Sequence, residues 1–399
     1  MRRRLRFDRL EFAGSLGDLG TLLPLALGMI VINGFEPTGL FAVIGLFYIL
    51  AGIYFGVPTP VQPMKVISAY AIAAGLSASQ ITGAGLLVGL FLLLIGSTGF
   101  ITVISRYIPK SVVRGVQFAT GTMLMSQGVK LMVGTTQFQL LHHAVEPYMT
   151  AQNVGPIPIG IIIGIGGGIL TLFLLDNKRV PAGLFIVLTG LGLGLFWGTH
   201  EGFETMRIGI NLPELLPFGL PSSTDLTYVL MLLVLPQLPM TIGNAVIANA
   251  DLSQEYFGAD SKRVTGRALC ISMGLVNLIS SLFGGMPLCH GAGGLAAHYR
   301  FGARTAGSNV IIGLLFVLLA VVLGSHIVAI VYLLPMSVLG VLLVFAGGQL
   351  ALTIIDLMNR KDLFVVLIML GITLATNLAA GFAAGIILAA MLRSEKLSV

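Results

Sequence analysis

A few polar residues interrupt long apolar stretches in positions where they could do chemistry. Lys65 follows Pro58-Thr59-Pro60-Val61-Gln62-Pro63-Met64, with three prolines in the six residues 58–63. His290 lies in Gly284-Gly285-Met286-Pro287-Leu288-Cys289-His290-Gly291-Ala292-Gly293-Gly294, which has five glycines and a proline. Neither stretch can be helical throughout, because Pro lacks the N–H and Gly pays backbone entropy in a helix. Each is expected to run extended and then open a half-helix, near Gln62 and near His290. Two such helix starts facing one another present unpaired N–H groups and partial positive charge, which suits an anion. Lys65 adds a full charge, and Gln62, Cys289, His290 and Gly291 stand at the breaks. Asp18, in Gly17-Asp18-Leu19-Gly20, is an acid inside an apolar segment. It could carry a proton, as could His290, or it could neutralise Lys65 for structure alone. In Pro236-Gln237-Leu238-Pro239-Met240-Thr241-Ile242-Gly243-Asn244, helical spacing puts Thr241 and Asn244 on one face, toward a cavity or toward a neighbouring helix.

The elements that must position these residues follow from composition. Of 399 residues, 56% are hydrophobic and 10% charged, with 52 glycines. A soluble domain carries about 25% charged residues. The chain is therefore an all-α polytopic membrane protein, not a cytosolic enzyme, a disulfide scaffold or a nucleic-acid binder. Cys270 and Cys289 form no framework, and no cofactor motif or metal-ligand spacing is present. A crossing needs about 20 apolar residues, fewer in broken helices. About fourteen segments result: 12–32, 38–55, 57–75, 80–104, 109–132, 155–175 and 181–199, then 226–249, 266–283, 285–299, 306–324, 335–357, 363–376 and 378–393.

With the N-terminus on the cytoplasmic side and retained, the basic residues fall in inner loops: Arg2, Arg3, Arg4, Arg6, Arg9, Arg106, Lys110, Arg114, Lys178, Arg179, Lys262, Arg263, Arg267, Arg300, Arg304, Arg360, Lys361, Arg393 and Lys396. The outer loops near 133–154 and 200–225 are acidic. This satisfies the positive-inside rule and puts both termini in the cytoplasm, as expected of a cell (inner) membrane protein. Pro109-Lys110-Ser111-Val112-Val113 resembles Pro335-Met336-Ser337-Val338-Leu339, with Gly121 meeting Gly347 at the same offset. Tyr54-Phe55-Gly56-Val57-Pro58 parallels Leu282-Phe283-Gly284-Gly285-Met286-Pro287. Segments 3 and 10, and 5 and 12, are thus related across an odd number of crossings. That is a 7+7 inverted repeat, the plan of secondary transporters.

These motifs resemble those of the molybdate transporter family, a branch related to the sulfate permeases. The similar residues are Gly17-Asp18-Leu19-Gly20-Thr21, Phe55 through Lys65, Leu235-Pro236-Gln237-Leu238-Pro239, Met286 through Leu295, and Tyr299-Arg300-Phe301-Gly302-Ala303-Arg304. The resemblance covers essentially the whole chain. It implies a core domain (11–104 and 226–324) carrying the anion past a gate domain (105–199 and 325–393), and molybdate or sulfate as substrate. One departure from typical sulfate permeases is that the sequence ends six residues after Arg393, so their cytoplasmic regulatory domain is not expected and their dimer contacts are not carried over, leaving a homodimer open. Protons are the coupling partner expected, because a dianion entering a negative-inside cell works against roughly 2.3 kcal/mol per charge per 100 mV.

A nucleobase or organic-anion carrier of the same architecture is the nearest rival, but such carriers use carboxylates in segments 8 and 10, where Asn244 and His290 stand. An intramembrane enzyme would need a paired carboxylate, and Asp251 and Asp356 fall near segment boundaries. A channel would not require broken half-helices in a repeat.

Overall fold

The computed structural model describes residues 5–99, 109–177 and 181–393. Arg2, Arg3, Arg4, Arg106, Lys178, Arg179 and Lys396 lie outside the described residues, as does the end of segment 80–104. The molecule is mostly helical. In order come α1 (Arg9–Ser15), α2 (Leu19–Asn33), α3 (Pro37–Phe55), β1 (Gln62–Pro63), α4 (Lys65–Ala74), α5 (Ala78–Thr98), α6 (Lys110–Val133), α7 (Gln137–Leu141), β2 (Asn153–Val154), β3 (Ile157–Pro158), α8 (Ile159–Leu174) and α9 (Ala182–Trp197). Then follow α10 (Ser223–Ser261), α11 (Gly266–Leu282), β4 (Leu288–Cys289), α12 (Ala292–Arg300), α13 (Gly307–Leu323), α14 (Ile327–Tyr332), α15 (Met336–Ala351), α16 (Arg360–Ala375) and α17 (Leu378–Met391). Among the described residues, Pro37–Phe55, Ala78–Thr98, Ser223–Ser261, Gly307–Tyr332 and Met336–Asp356 are long and apolar enough to cross a membrane, and α1 with α2 forms a sixth candidate bent by 42°.

Local chemistry sets the helix ends. Pro37 opens α3, with the Glu36 side chain accepting from Gly39 N–H, and Gly56 closes it at φ 75°. Ser77 and Gln80 cap α5 reciprocally. Small residues set the packing: α3 lies on α13, α5 on α11 and α6 on α15. Gly45 faces Gly313, Gly89 faces Gly274, and Gly121 and Gly128 face Gly347 and Gly340. At each crossing a Cβ would come within 2.5–3.0 Å of the opposite glycine's carbonyl oxygen. Close backbone approach of this kind substitutes for the hydrophobic drive that lipid cannot supply.

The two broken stretches do more than run extended. β1 and β4 pair antiparallel, Gln62 opposite Cys289 and Pro63 opposite Leu288, and Met64 N–H donates to Pro287 O at 2.8 Å. Two buried asparagines complete the ladder. Leu288 N–H donates to Asn277 Oδ1 and Asn277 Nδ2 to Leu288 O, both at 2.8 Å. Thr59 N–H donates to Asn309 Oδ1 at 3.0 Å, and Asn309 Nδ2 to Thr59 O at 2.7 Å. Non-helical backbone away from water needs such partners.

Three differences from the sequence-based boundaries bear on the site. Segment 12–32 is broken, with Asp18 at the bend and its carboxylate making no capping bond to α2. The half-helices begin at Lys65 and Ala292, later than Gln62 and His290, because those residues belong to the extended stretches. Lys65 is therefore the first residue of its half-helix, not one turn in. Finally, α10 contains π-helical turns at Leu230–Val234 and Thr241–Ala248.

Outside the spans, Glu146 accepts from the N–H groups of Met336 (2.6 Å) and Ser337 (2.8 Å) and caps α15. Burial pushes its carboxyl up to about 7, against the pull of those donors. An acid raised in the folded state contributes stability that is complete below its unfolded value and lost as pH rises through about 7. The detergent-solubilised protein should therefore melt at a lower temperature at pH 8 than at pH 5. Glu146→Gln should flatten that difference. An unchanged pH profile in that variant would remove Glu146 as its source.

Candidate anion-binding cavity

The bend in the first segment brings Asp18 against the broken stretches. Gln62 Nε2 donates to Asp18 Oδ1 at 2.7 Å, and both side chains are buried. Asp18 Oδ2 and Gln62 Oε1 have no hydrogen-bond partner among the described residues. Glycines make this cluster possible. A methyl at Gly294 would lie 2.5 Å from Asp18 Oδ2, and one at Gly291 would collide with Gln62 Oε1 and reach 3.2 Å from Asn244 Nδ2.

The two helix starts are not equivalent. At α4, Gln237 Oε1 accepts from Val66 N–H (3.0 Å) and Ile67 N–H (3.2 Å), while Gln237 Nε2 donates to Thr241 Oγ1 (2.9 Å). Donors expected to face an anion are thus already taken. At α12, Gly291 supplies no side-chain cap, and the N–H groups of Ala292 and Gly293 have no acceptor among the described residues.

In front of α12 lies a cavity of about 540 Å³. Its wall includes Lys65, Asn244 and Gly293, with Gly20 and Thr21 from α2, Arg114 and Gln117 from α6, and Gln349 and Thr353 near the end of α15. Arg300 also lines it, and no Asp or Glu among the described residues does. A smaller recess of about 280 Å³ shares Arg114, Gln117, Met240 and Asn244 and adds Lys110. Asp356 pairs with Arg114 (Nη2–Oδ2 2.5 Å) and with Lys110 (3.0 Å). Arg114 Nη1 also donates to Gln117 Oε1 at 2.7 Å, and Arg300 Nη2 to Asp176 O at 2.9 Å. Lys65, by contrast, makes no hydrogen bond or ion pair among the described residues, so its charge is unneutralised at contact distance. A half-buried cation on a cavity wall with unpaired N–H groups nearby is a strong site for an oxyanion.

The structure sorts the residues read from sequence. Lys65 and Asn244 line the cavity. Gly291 sits directly behind the wall, where the lack of a side chain lets Gln62 approach. Gln62 and Asp18 are one layer deeper, bonded to each other. Thr241 faces Gln237, four residues back, while the wider winding of the π-turn that begins at Thr241 turns Asn244 away from it toward the cavity. His290 does not face the cavity. Its Nδ1 lies 2.8 Å from Pro60 O and its Nε2 3.0 Å from Ser272 Oγ, with the ring between Phe47 and Phe55. Cys289 is buried with Sγ 3.9 Å from Pro63 O. Pro58, Pro60, Pro63 and Pro287 lie in the non-helical stretches. Sequence reasoning missed Gln237 as a cap and Arg114, Gln117, Arg300 and Gln349 as wall. The Gln237-Leu238-Pro239 motif was the signal for the first, whereas the others read as loop charges or ordinary helix residues.

The chain matches the family described as "Molybdate transporter of MFS superfamily" over residues 10–124 and 230–350. It is 32% identical to "Molybdate transporter 2" of Arabidopsis thaliana, an alignment covering 100% of this chain and 90% of the relative. Its fold is similar to that of SLC26A9 (TM-score 0.67, 15% identity), covering 96% of this chain and 65% of that one. It is equally similar to the transmembrane domain of the cyanobacterial bicarbonate transporter BicA (TM-score 0.67, 16% identity), covering 94% and 97% respectively. The apolar spans, the cationic cavity and these matches agree, and this integral membrane protein belongs to the molybdate transporter family.

Proposed function

We propose that the protein is a secondary active transporter of a tetrahedral oxyanion, molybdate first, coupled to protons. The observation that carries this is the cavity, with no Asp or Glu among its described wall residues, in which the Lys65 ammonium, unpaired among the described residues, stands beside the N–H groups that open α12. Lys65, Asn244 and the Ala292 and Gly293 N–H groups bind the anion. Asp18 is the coupling group, and Gln62 connects it to the wall. Gln237 and Thr241 hold the start of α4, while His290 and Cys289 position the extended stretches and do not touch the anion.

About fourteen segments arranged as a 7+7 inverted repeat fit this activity, with core (11–104 and 226–324) and gate (105–199 and 325–393) domains alternating access. Helix crossings support the repeat. It carries Gly45 toward Gly274 and Gly89 toward Gly313, so the Gly45–Gly313 and Gly89–Gly274 crossings exchange with each other. The basic end of the cavity, with Arg114 and Arg300 and with Lys110 in the adjoining recess, is assigned to the cytoplasm by the positive-inside rule, with both termini on that side. Sulfate has the same shape and charge and is the second candidate. A nucleobase carrier would need an acid in the wall.

Uptake of labelled molybdate into proteoliposomes under an inward proton gradient tests the proposal, with excess sulfate as competitor. Proton-driven uptake that resists sulfate is the expected result. Uptake abolished by sulfate would make sulfate the working substrate. No uptake of either anion would overturn the oxyanion reading.

A further inference from the structure

We infer that Gln62 is the residue through which the protonation state of Asp18 is read at the anion cavity. Its carboxamide turns over when Asp18 takes up a proton, exchanging oxygen for nitrogen on the side facing Gly291 and Asn244. This rests on the proposal that Asp18 is the coupling group.

The bond seen is one that an ionised Asp18 makes. A carboxylate only accepts, and Gln62 Nε2 donates to Asp18 Oδ1 at 2.7 Å. The amide oxygen must then point away, and it does so without a partner among the described residues, fully buried, toward Gly291, where an added methyl would also reach 3.2 Å from Asn244 Nδ2. An unpaired buried acceptor of this kind is costly. When Asp18 is protonated, its O–H becomes a donor. A half-turn of the Gln62 amide lets Oε1 accept that proton's hydrogen bond and aims Nε2 at Asn244. The two ends of a carboxamide are nearly the same size, so the turn needs no extra space.

Asn244 carries the change to the wall. While the amide oxygen is on its side, Asn244 makes no hydrogen bond to Gln62 among the described residues. Facing an amide nitrogen, it presents Oδ1 inward and turns Nδ2 into the cavity it lines. One proton on Asp18 thus supplies one more donor to an anion, through the gap that Gly291 leaves. The other charged or titratable groups facing Asp18 are Lys65 from α4, Tyr48 from α3 and Cys289 from β4, with the Thr21 hydroxyl on its own helix. Lys65 couples acid and anion by charge alone, so the relay must be separated from it.

Molybdate binding to the purified full chain, measured by calorimetry across pH, makes that separation. In the unmodified protein, affinity should rise toward about tenfold per pH unit of acidification, the limit for one linked proton. Asp18→Asn removes the titrating group and should bind molybdate with the same affinity at every pH. Gln62→Leu should lose most of the pH slope while still binding. Asn244→Ala should flatten the slope in the same way, and serves if the buried Gln62 variant does not fold. A full slope in both Gln62→Leu and Asn244→Ala, with a flat Asp18→Asn, would overturn the relay and leave coupling to the charges of Asp18 and Lys65. A full slope in Asp18→Asn would instead remove Asp18 as the coupling group.

Discussion

Lys65→Ala is expected to weaken molybdate binding by about 10- to 100-fold, the range of a lost charge-assisted hydrogen bond at about 1.5–3 kcal/mol. Uptake should fall with it. The expectation comes from what surrounds the ammonium. Arg114 is held by Asp356 and Gln117, and Arg300 by a backbone carbonyl, so each already spends part of its donor capacity on protein. Lys65 has no such partner among the described residues, and it starts the half-helix α4 on the cavity wall. Lys130→Ala removes the same charge from an exposed face of α6 and serves as the control. Calorimetric affinities that match in the two variants would take Lys65 out of the site.

Two adjacent glycines should respond in opposite ways. A methyl at Gly294 would sit 2.5 Å from Asp18 Oδ2, 2.7 Å from Pro60 Cβ and 2.9 Å from Gln62 Nε2. Those neighbours are buried and cannot all move aside, so Gly294→Ala should cost about 1–3 kcal/mol of stability by overpacking. It should also break the Asp18–Gln62 bond and stop uptake. At Gly293 a methyl meets only Lys65 Nζ, at 3.8 Å. Gly293→Ala should melt like the unmodified protein yet bind molybdate several-fold more weakly, because the methyl narrows the space in front of the ammonium. Equal melting temperatures for the two variants would contradict the packing described around α12.

Much of this was legible in the sequence, and the reasons for the remainder are physical. Proline and glycine clusters mark breaks whatever the surroundings, so both half-helices and Lys65 at one of them could be read directly. The pairing of β1 with β4 could not, since a two-residue ladder between segments far apart in sequence leaves no periodicity. Thr241 and Asn244 were placed on one face by assuming 3.6 residues per turn, and the π-turn undoes that assumption. His290 stands beside the second break, but orientation is decided by tertiary partners, here Pro60 O, Ser272 and two phenylalanines. Gln237 looked like one more polar residue in a span. Only the fold shows that it occupies the start of α4, leaving α12 to offer the free N–H groups.

The short ladder between the broken stretches also bears on how such a protein can diversify. Gln62 sits opposite Cys289 and Pro63 opposite Leu288, and the flanking Asn309 and Asn277 clamp both strands. In a paired strand, slipping one residue turns every side chain to the opposite face. An insertion or deletion in either stretch would misalign its partner and both clamps together. Two halves joined in this way must inherit length changes as a pair or not at all. New anion preferences are therefore accessible chiefly through substitutions on the cavity wall, at positions such as Asn244, Gln349 and Thr353, with the ladder kept at constant length.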